Sequence, residues 1–435
     1  MRRITLAILF LLLAPFAASA VEPPTGFTAL FNGKDLTGWH GWAIHGKGAA
    51  PQDLAKLTPE EQAKKVEEWT ADAKKHWSVQ NEELVNDGHG AYLATDKDYG
   101  DYELLIEYKT VAKADSGIYL KNTPQVQIWD STEADPTGLG KKFGSGGLWN
   151  NTKYKQGKDP LVLADKPLGE WNKFRIVQLG SITTIYLNDK LVVDHAMLES
   201  YFDKANPLPK VGKFLLQTHG GEIRWRNIFL KEFTPAEANA MLEKKASEGL
   251  TPIFDGKTLD GWAGAVENYE VVDGAIVCKP KKGGVLHTKG EYADFVTTFE
   301  FKLPKNGNNG LAIRYPGSGD TAYVGMCELQ VLDDDYKGID PRQAHGSAYG
   351  MIAAKRGYQR PIGEWNFEKV TIKGSTIQVE LNGNLILDGD LSKVKEPYMA
   401  NSPHPGKDRT TGYFGLAGHN DPVAFRNIKI KALSK

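Results

Sequence analysis

The stretch Glu328-Leu329-Gln330-Val331-Leu332-Asp333 sets two carboxylates and a carboxamide close together. Polar and apolar residues alternate over its first four positions, which predicts a β-strand. In a strand, Glu328, Gln330 and Leu332 share one face, and Leu329, Val331 and Asp333 the other. Asp333 breaks the alternation, so it stands at the strand end or beyond a bulge. An earlier stretch, Gln125-Val126-Gln127-Ile128-Trp129-Asp130, has the same layout, with Gln125 in place of Glu328, Gln127 of Gln330 and Asp130 of Asp333. Such a face is ordinarily the wet side of a sheet. Its recurrence at matching places in two long repeats marks it instead as a candidate site for acid–base work, with Glu328, Asp333 and Asp130 as the carboxylates.

Three further pairs recur beside it. Asp115-Ser116-Gly117-Ile118-Tyr119-Leu120-Lys121 matches Asn308-Asn309-Gly310-Leu311-Ala312-Ile313-Arg314, and each ends in a cation, Lys121 or Arg314, that reads as a substrate contact or a solvated strand end. Trp149 and Tyr349 follow glycine-rich turns and read as sugar-stacking platforms or core residues. His219 and His419 each precede a closing strand that carries Arg-Asn-Ile. Histidine is the usual general base near neutral pH. No HExxH, nucleophile elbow, dinucleotide fingerprint or paired-cysteine zinc site occurs.

The elements that must hold these residues follow from an internal duplication. Phe31-Asn32-Gly33-Lys34-Asp35-Leu36-Thr37-Gly38-Trp39 returns as Phe254-Asp255-Gly256-Lys257-Thr258-Leu259-Asp260-Gly261-Trp262. Gly-Glu-Trp-Asn occurs at 169–172 and 363–366, and Arg-Asn-Ile at 226–228 and 426–428. The period is domain-sized, which excludes a solenoid. With 435 residues, 46 of them glycine, and many aromatic residues, short strands and turns are expected over helical bundles. Asn188-Asp189 and Asn382-Gly383 each sit between two strand-like runs and predict hairpins. The first repeat has about thirty extra residues, read as a helical insertion over 53–76 that begins with the capping box Thr58-Pro59-Glu60-Glu61. The second has about ten extra residues in 317–326, just before its polar strand.

The expected organisation is a signal peptide over 1–20, a first domain over 21–232, a helical linker over 233–249 and a second domain over 250–435. Arg2 and Arg3, an apolar run and Ala18-Ser19-Ala20 carry the signal-peptide reading. No lipobox cysteine stands directly after that segment and no later stretch is apolar enough to span, so a periplasmic or secreted chain is expected. The formal charge of −1 gives no footprint for nucleic acid. Cys278 and Cys327 read as small apolar strand residues.

Taken together, the Phe-Asn/Asp-Gly-Lys-x-Leu-x-Gly-Trp opening, the Ser/Asn-Gly-Ile/Leu strand, the Glu/Gln-x-Gln-x-x-Asp strand, Gly-Glu-Trp-Asn and a histidine before the last Arg-Asn-Ile resemble the 3-keto-disaccharide hydrolase family. The resemblance implies an all-β chain of two tandem concanavalin A-like jelly-roll sandwiches, with the helical insertion in the first and a short helical linker between them. It implies cleavage of glycosides oxidised at C3, by C2 deprotonation, elimination at C1 and hydration. His419 is then the candidate base, with His219 its counterpart. Arg314 or a divalent metal on Glu328, Gln330 and Asp333 would hold the enolate oxygen. Gln330, Arg314, Tyr349, Gln127, Lys121 and Trp149 would bind carbohydrate. A lectin-like or scaffold protein is the alternative, since fold does not fix function. An ordinary glycosidase would need two carboxylates on one face. Which repeat is active, and the oligomeric state, stay open.

Overall fold

The computed structural model describes residues 21–44 and 50–434; the expected signal peptide lies outside them. The chain forms four antiparallel sheets in two halves, and each half faces a larger sheet with a five-stranded one. In the second half the five-stranded sheet runs Trp262–Gly264, Gly283–Tyr292, Gly412–His419, Asn308–Tyr315, Cys327–Leu332. The first half repeats it as Trp39–Trp42, Tyr92–Thr95, Leu215–Leu216, Asp115–Leu120, Thr123–Trp129. The register repeats too: Trp39 pairs with Thr95 and Trp262 with Thr288. The chain is therefore two tandem jelly-roll sandwiches.

Local chemistry explains the strands. Tyr102–Thr110 alternates buried and half-buried residues along its length, as a strand with one face on the core must. Both expected hairpins turn through two left-handed residues, Asn188 and Asp189 (φ 50° and 65°) and Asn382 and Gly383 (φ 49° and 78°), which suits the twist of paired strands.

The insertion is a helix, Pro59–His76, closed at its start by the Thr58–Glu61 capping box. It lies on the outer face of the first five-stranded sheet. A Cβ on Gly41 would stand 2.1 Å from the Trp69 carbonyl oxygen, so the helix backbone rests on that strand. Trp69 and Phe202 pack against Trp42, Tyr92, Ala94, Tyr119 and Leu215 and make this face apolar. By strand register the second half has Ala312 where the first has Tyr119, and Gly415 where it has Leu215. Its own short helix, Thr321–Val324, comes from the ten-residue extension.

A linker helix, Pro235–Ala246, mates the halves. Ala238 and Leu242 join Val177, Leu179 and Ile182 of the first half and Phe367 of the second in one apolar cluster. Asn239 donates to the Glu300 carboxylate (2.9 Å) and accepts from Arg360 (2.9 Å). The Ser181 amide donates to the Gly383 carbonyl across the seam (3.1 Å). Cys278 and Cys327 are free and buried among strand residues.

A histidine and a carboxylate face one another inside the second half. His345 Nε2 and Glu368 Oε2 are 2.9 Å apart, each side chain 1% exposed, off the axis of a well-formed hydrogen bond. The matching residues of the first half are Ser145 and Phe174, by the shared turn and the shared strand register. Removing one partner of a buried polar pair leaves the other unsatisfied, at a cost of about 1–3 kcal/mol. Glu368→Ala should therefore destabilise the second half by that amount in denaturant unfolding. The double change His345→Ser with Glu368→Phe, which copies the first half, should recover most of the loss.

Candidate active site

The strand Cys327–Leu332 sends Leu329 and Val331 into the second core. Alternation then turns Glu328 and Gln330 to the outer face. Glu328 lies flat across the neighbouring strand, where a Cβ on Gly310 would come within 2.2 Å of its Oε1. That contact accounts for the glycine of the Asn-Gly-Leu motif. Thr321 of the short helix donates its hydroxyl to Glu328 Oε2. The other carboxylate oxygen is 3.6 Å from His419 Nε2. Gln330 donates its amide to Asn308 Oδ1 (2.6 Å). Tyr349 accepts at its hydroxyl from Gln343 (3.1 Å) and meets Tyr323 edge-on at 6.4 Å.

These side chains enclose a pocket of about 220 Å³, lined also by Asp320, Ala322, Leu332, Tyr336 and Ile339. Drug-sized pockets span roughly 300–1,000 Å³, so this one suits a single sugar ring. Its wall is pinned from outside. His404 donates to the Ala322 carbonyl (2.8 Å) and Arg409 to the Val324 carbonyl (2.6 Å). A larger cleft of about 1130 Å³ lies beneath the insertion helix, but none of the residues that match between the repeats as a site lines it.

The first half brings together a related but different set. His219 Nδ1 is 3.0 Å from Asp115 Oδ2, and Gln127 donates to Asp115 Oδ1 (2.7 Å). Gln125 donates in turn to the Gln127 carbonyl. Strand register matches Asp115 to Asn308 and Gln125 to Glu328. Each half therefore keeps one carboxylate against its histidine, but on adjacent strands. Trp149 donates its indole N–H to the Leu139 carbonyl (3.0 Å) and stands edge-on to Trp129 at 6.2 Å.

Four of the expected site residues go elsewhere. Arg314 is 2% exposed, with φ 47°, and donates to the carbonyls of Ala293, Gly374 and Arg409 and to the Asp294 carboxylate. Its donors tie loops together and it does not line the pocket. Lys121, 1% exposed, donates to the Gly180 carbonyl (2.9 Å), and burial pushes its pKa down to about 8. Asp333 accepts from the backbone of Asn306 (2.8 Å) and Asp335 (2.9 Å). Asp130 accepts from the backbone of Lys113 (3.0 Å) and Thr132 (2.8 Å). Both aspartates fix turns. With Asp333 committed to backbone, the set Glu328, Gln330 and Asp333 does not fit as metal ligands. No group of three or more His, Cys, Asp or Glu side chains among the described residues is placed to hold a metal.

Sequence reasoning missed Asp115, Asn308, Asp320, Thr321, Tyr323 and Gln343. The ten-residue extension was the one signal for Asp320, Thr321 and Tyr323.

The carboxylates set the histidines' charge. Glu328 raises the His419 pKa above its ordinary value, against the opposing effect of burial. Asp115 does the same for His219. A histidine raised in the folded state lends stability that is complete below the unfolded value, about 6.5. That stability is lost as pH rises through the folded value. In an NMR titration both imidazoles should have midpoints above about 6.5. Glu328→Gln should lower the His419 midpoint alone, and Asp115→Asn the His219 midpoint alone. A His419 midpoint unmoved by Glu328→Gln would mean that Asp320 and Asp421 set it.

Residues 26–231 and 249–431 each match the 3-keto-alpha-glucoside-1,2-lyase-like domain. A 3-keto-disaccharide hydrolase of Bacteroides thetaiotaomicron is 26% identical over 248 residues, 47% of this chain and 86% of that one. Two solved structures described as candidate glycosyl hydrolases of Parabacteroides distasonis are similar. One is 26% identical over 44% of this chain and 97% of its own, the other 28% over 42% and 99%, both at TM-score 0.39. The two matched segments together cover most of the chain, which therefore belongs to the 3-keto-disaccharide hydrolase family as two tandem copies.

Proposed function

We propose that the second half cleaves 3-keto-glycosides at the Glu328–His419 pocket. The observation that supports this most is an imidazole paired with a buried carboxylate at the mouth of a pocket sized for one ring. A C3 ketone acidifies the C2 hydrogen. His419, in its neutral form, takes that proton, and the electrons form an enolate with the C3 oxygen. The Tyr349 hydroxyl, which already accepts from Gln343, has its own proton free to donate to that oxygen. The glycosidic oxygen at C1 then leaves as the C1–C2 double bond forms, and the protonated His419 returns its proton to it. Water adds across the double bond, so the net change is hydrolysis. Glu328, fixed by Thr321, holds the imidazole in place and stabilises its charged form.

The first half supports a binding or structural part. Its helix covers the sheet face, and an amide at Gln125 replaces the carboxylate at Glu328. Export of the chain, implied by residues 1–20, belongs to the same proposal.

A general base is worth roughly 10²–10⁴ in rate. His419→Ala should cut turnover of a 3-keto-glycoside by about that factor with little change in melting temperature, and His219→Ala should leave turnover near wild type. Because the neutral imidazole acts, kcat/KM should rise with pH through the raised His419 midpoint. Substrate deuterated at C2 should lose or exchange its label during cleavage. Retention of the label, or loss of activity in His219→Ala alone, would refute the assignment.

A further inference from the structure

One polar atom in the pocket has no partner within the protein. Gln330 Oε1 is buried, on a side chain 4% exposed, and no donor reaches it. Its amide end is held by Asn308 Oδ1 at 2.6 Å, which turns the carbonyl away from that neighbour. The residue lines the same pocket as Glu328 and His419.

The duplicated half shows why the carbonyl is left over. There the matching carbonyl, on Gln127, receives the Gln125 amide. The second half has a carboxylate at that position, Glu328, whose oxygens face the Thr321 hydroxyl and His419. An ionised carboxylate accepts and cannot donate. The orientation of the amide is likewise fixed in the first half, where Asp115 can only accept from Gln127. The second half keeps that orientation with Asn308.

A buried carbonyl without a donor is costly, and a ligand hydroxyl would satisfy it. We propose that Gln330, oriented by Asn308, is a specificity-determining residue whose carbonyl accepts a hydrogen bond from one hydroxyl of the bound sugar ring. This rests on the pocket being the sugar site proposed above. Sites built to bond a hydroxyl reject analogues that lack it far better than apolar pockets reject an added group. Asp320 and Glu328 line the pocket and, among the described lining residues, there is no lysine or arginine. The ring it reads therefore carries no anionic group.

The test is calorimetric binding to the full chain of methyl α-glucoside, its 3-keto form, and the monodeoxy and monodeoxyfluoro analogues at C2, C4 and C6. One deoxy analogue should bind roughly 10–100-fold more weakly than its parent, the range expected for an unsatisfied buried acceptor. The fluoro analogue at the same carbon should be equally weak, because fluorine cannot donate. Gln330→Met should bind that analogue and its parent within about threefold of one another. Asn308→Asp, which can only accept and so keeps the Gln330 amide in its present orientation, should keep the wild-type gap. Three results would overturn the proposal: equal binding of all analogues by the wild type, full affinity for the fluoro analogue (the mark of an amide N–H facing the ring), or a gap that persists in Gln330→Met. A requirement for added calcium or magnesium that Gln330→Met abolishes would assign the oxygen to a metal and overturn it as well. If Gln330→Met does not fold, the wild-type panel and Asn308→Asp still decide. Absence of turnover with every 3-keto-glycoside, alongside the expected binding pattern, would refute the elimination chemistry and leave this inference standing.

Discussion

A carboxylate that is almost wholly removed from water needs partners for both its oxygens. Glu328 meets that demand with the Thr321 hydroxyl on one side and the His419 imidazole on the other. The neighbourhood follows from it. Gly310 has to lack a side chain so that the carboxylate can lie across its strand. The ten-residue extension has to deliver Thr321 above the sheet. His404 and Arg409 then hold that extension by its carbonyls. The pocket is the space left under this arrangement.

The two halves solve one packing problem in two ways. Both keep the core face of the polar strand apolar, Leu329 and Val331 in one half, Val126 and Ile128 in the other. On the outer face the second half uses small residues and a short helix, and so keeps a cavity. The first half uses Trp42, Tyr92 and Tyr119 and lays a long helix over them. Its carboxylate has moved one strand over, from the position of Glu328 to that of Asn308, while its histidine has stayed.

Much of the fold could be read in the chain. Period-two alternation, Asn-Asp and Asn-Gly turns, the Thr58–Glu61 capping box and an ordered duplication could all be read in the chain, and each became the element it implied. The pairing of His419 with Glu328 was legible as a juxtaposition but not as a contact, because it joins residues far apart in sequence. Arg314 and Lys121 misled for a physical reason. A cation at a strand end reads as solvated or ligand-facing, but both turn through left-handed backbone (φ 47° and 51°) and bury their side chains against carbonyls. Asp333 and Asp130 misled because an aspartate just past a strand serves turns as readily as chemistry. Asp115 escaped notice because its counterpart is an asparagine, so the repeat itself hid the exchange.

The link between the strands Asn308–Tyr315 and Cys327–Leu332 has a consequence for how such a chain can diversify. In the first half the equivalent strands are joined through Lys121 and Asn122 alone. In the second the connection contains a helix that supplies a wall of the pocket and the partner of its carboxylate. The difference is confined to a surface loop, the part of a domain that tolerates insertion most readily. Once the ancestral unit was copied, one such lengthening could separate a chamber from an open surface without disturbing either core. Further change in its length or composition would reshape what the chamber admits while the sheets beneath stay as they are.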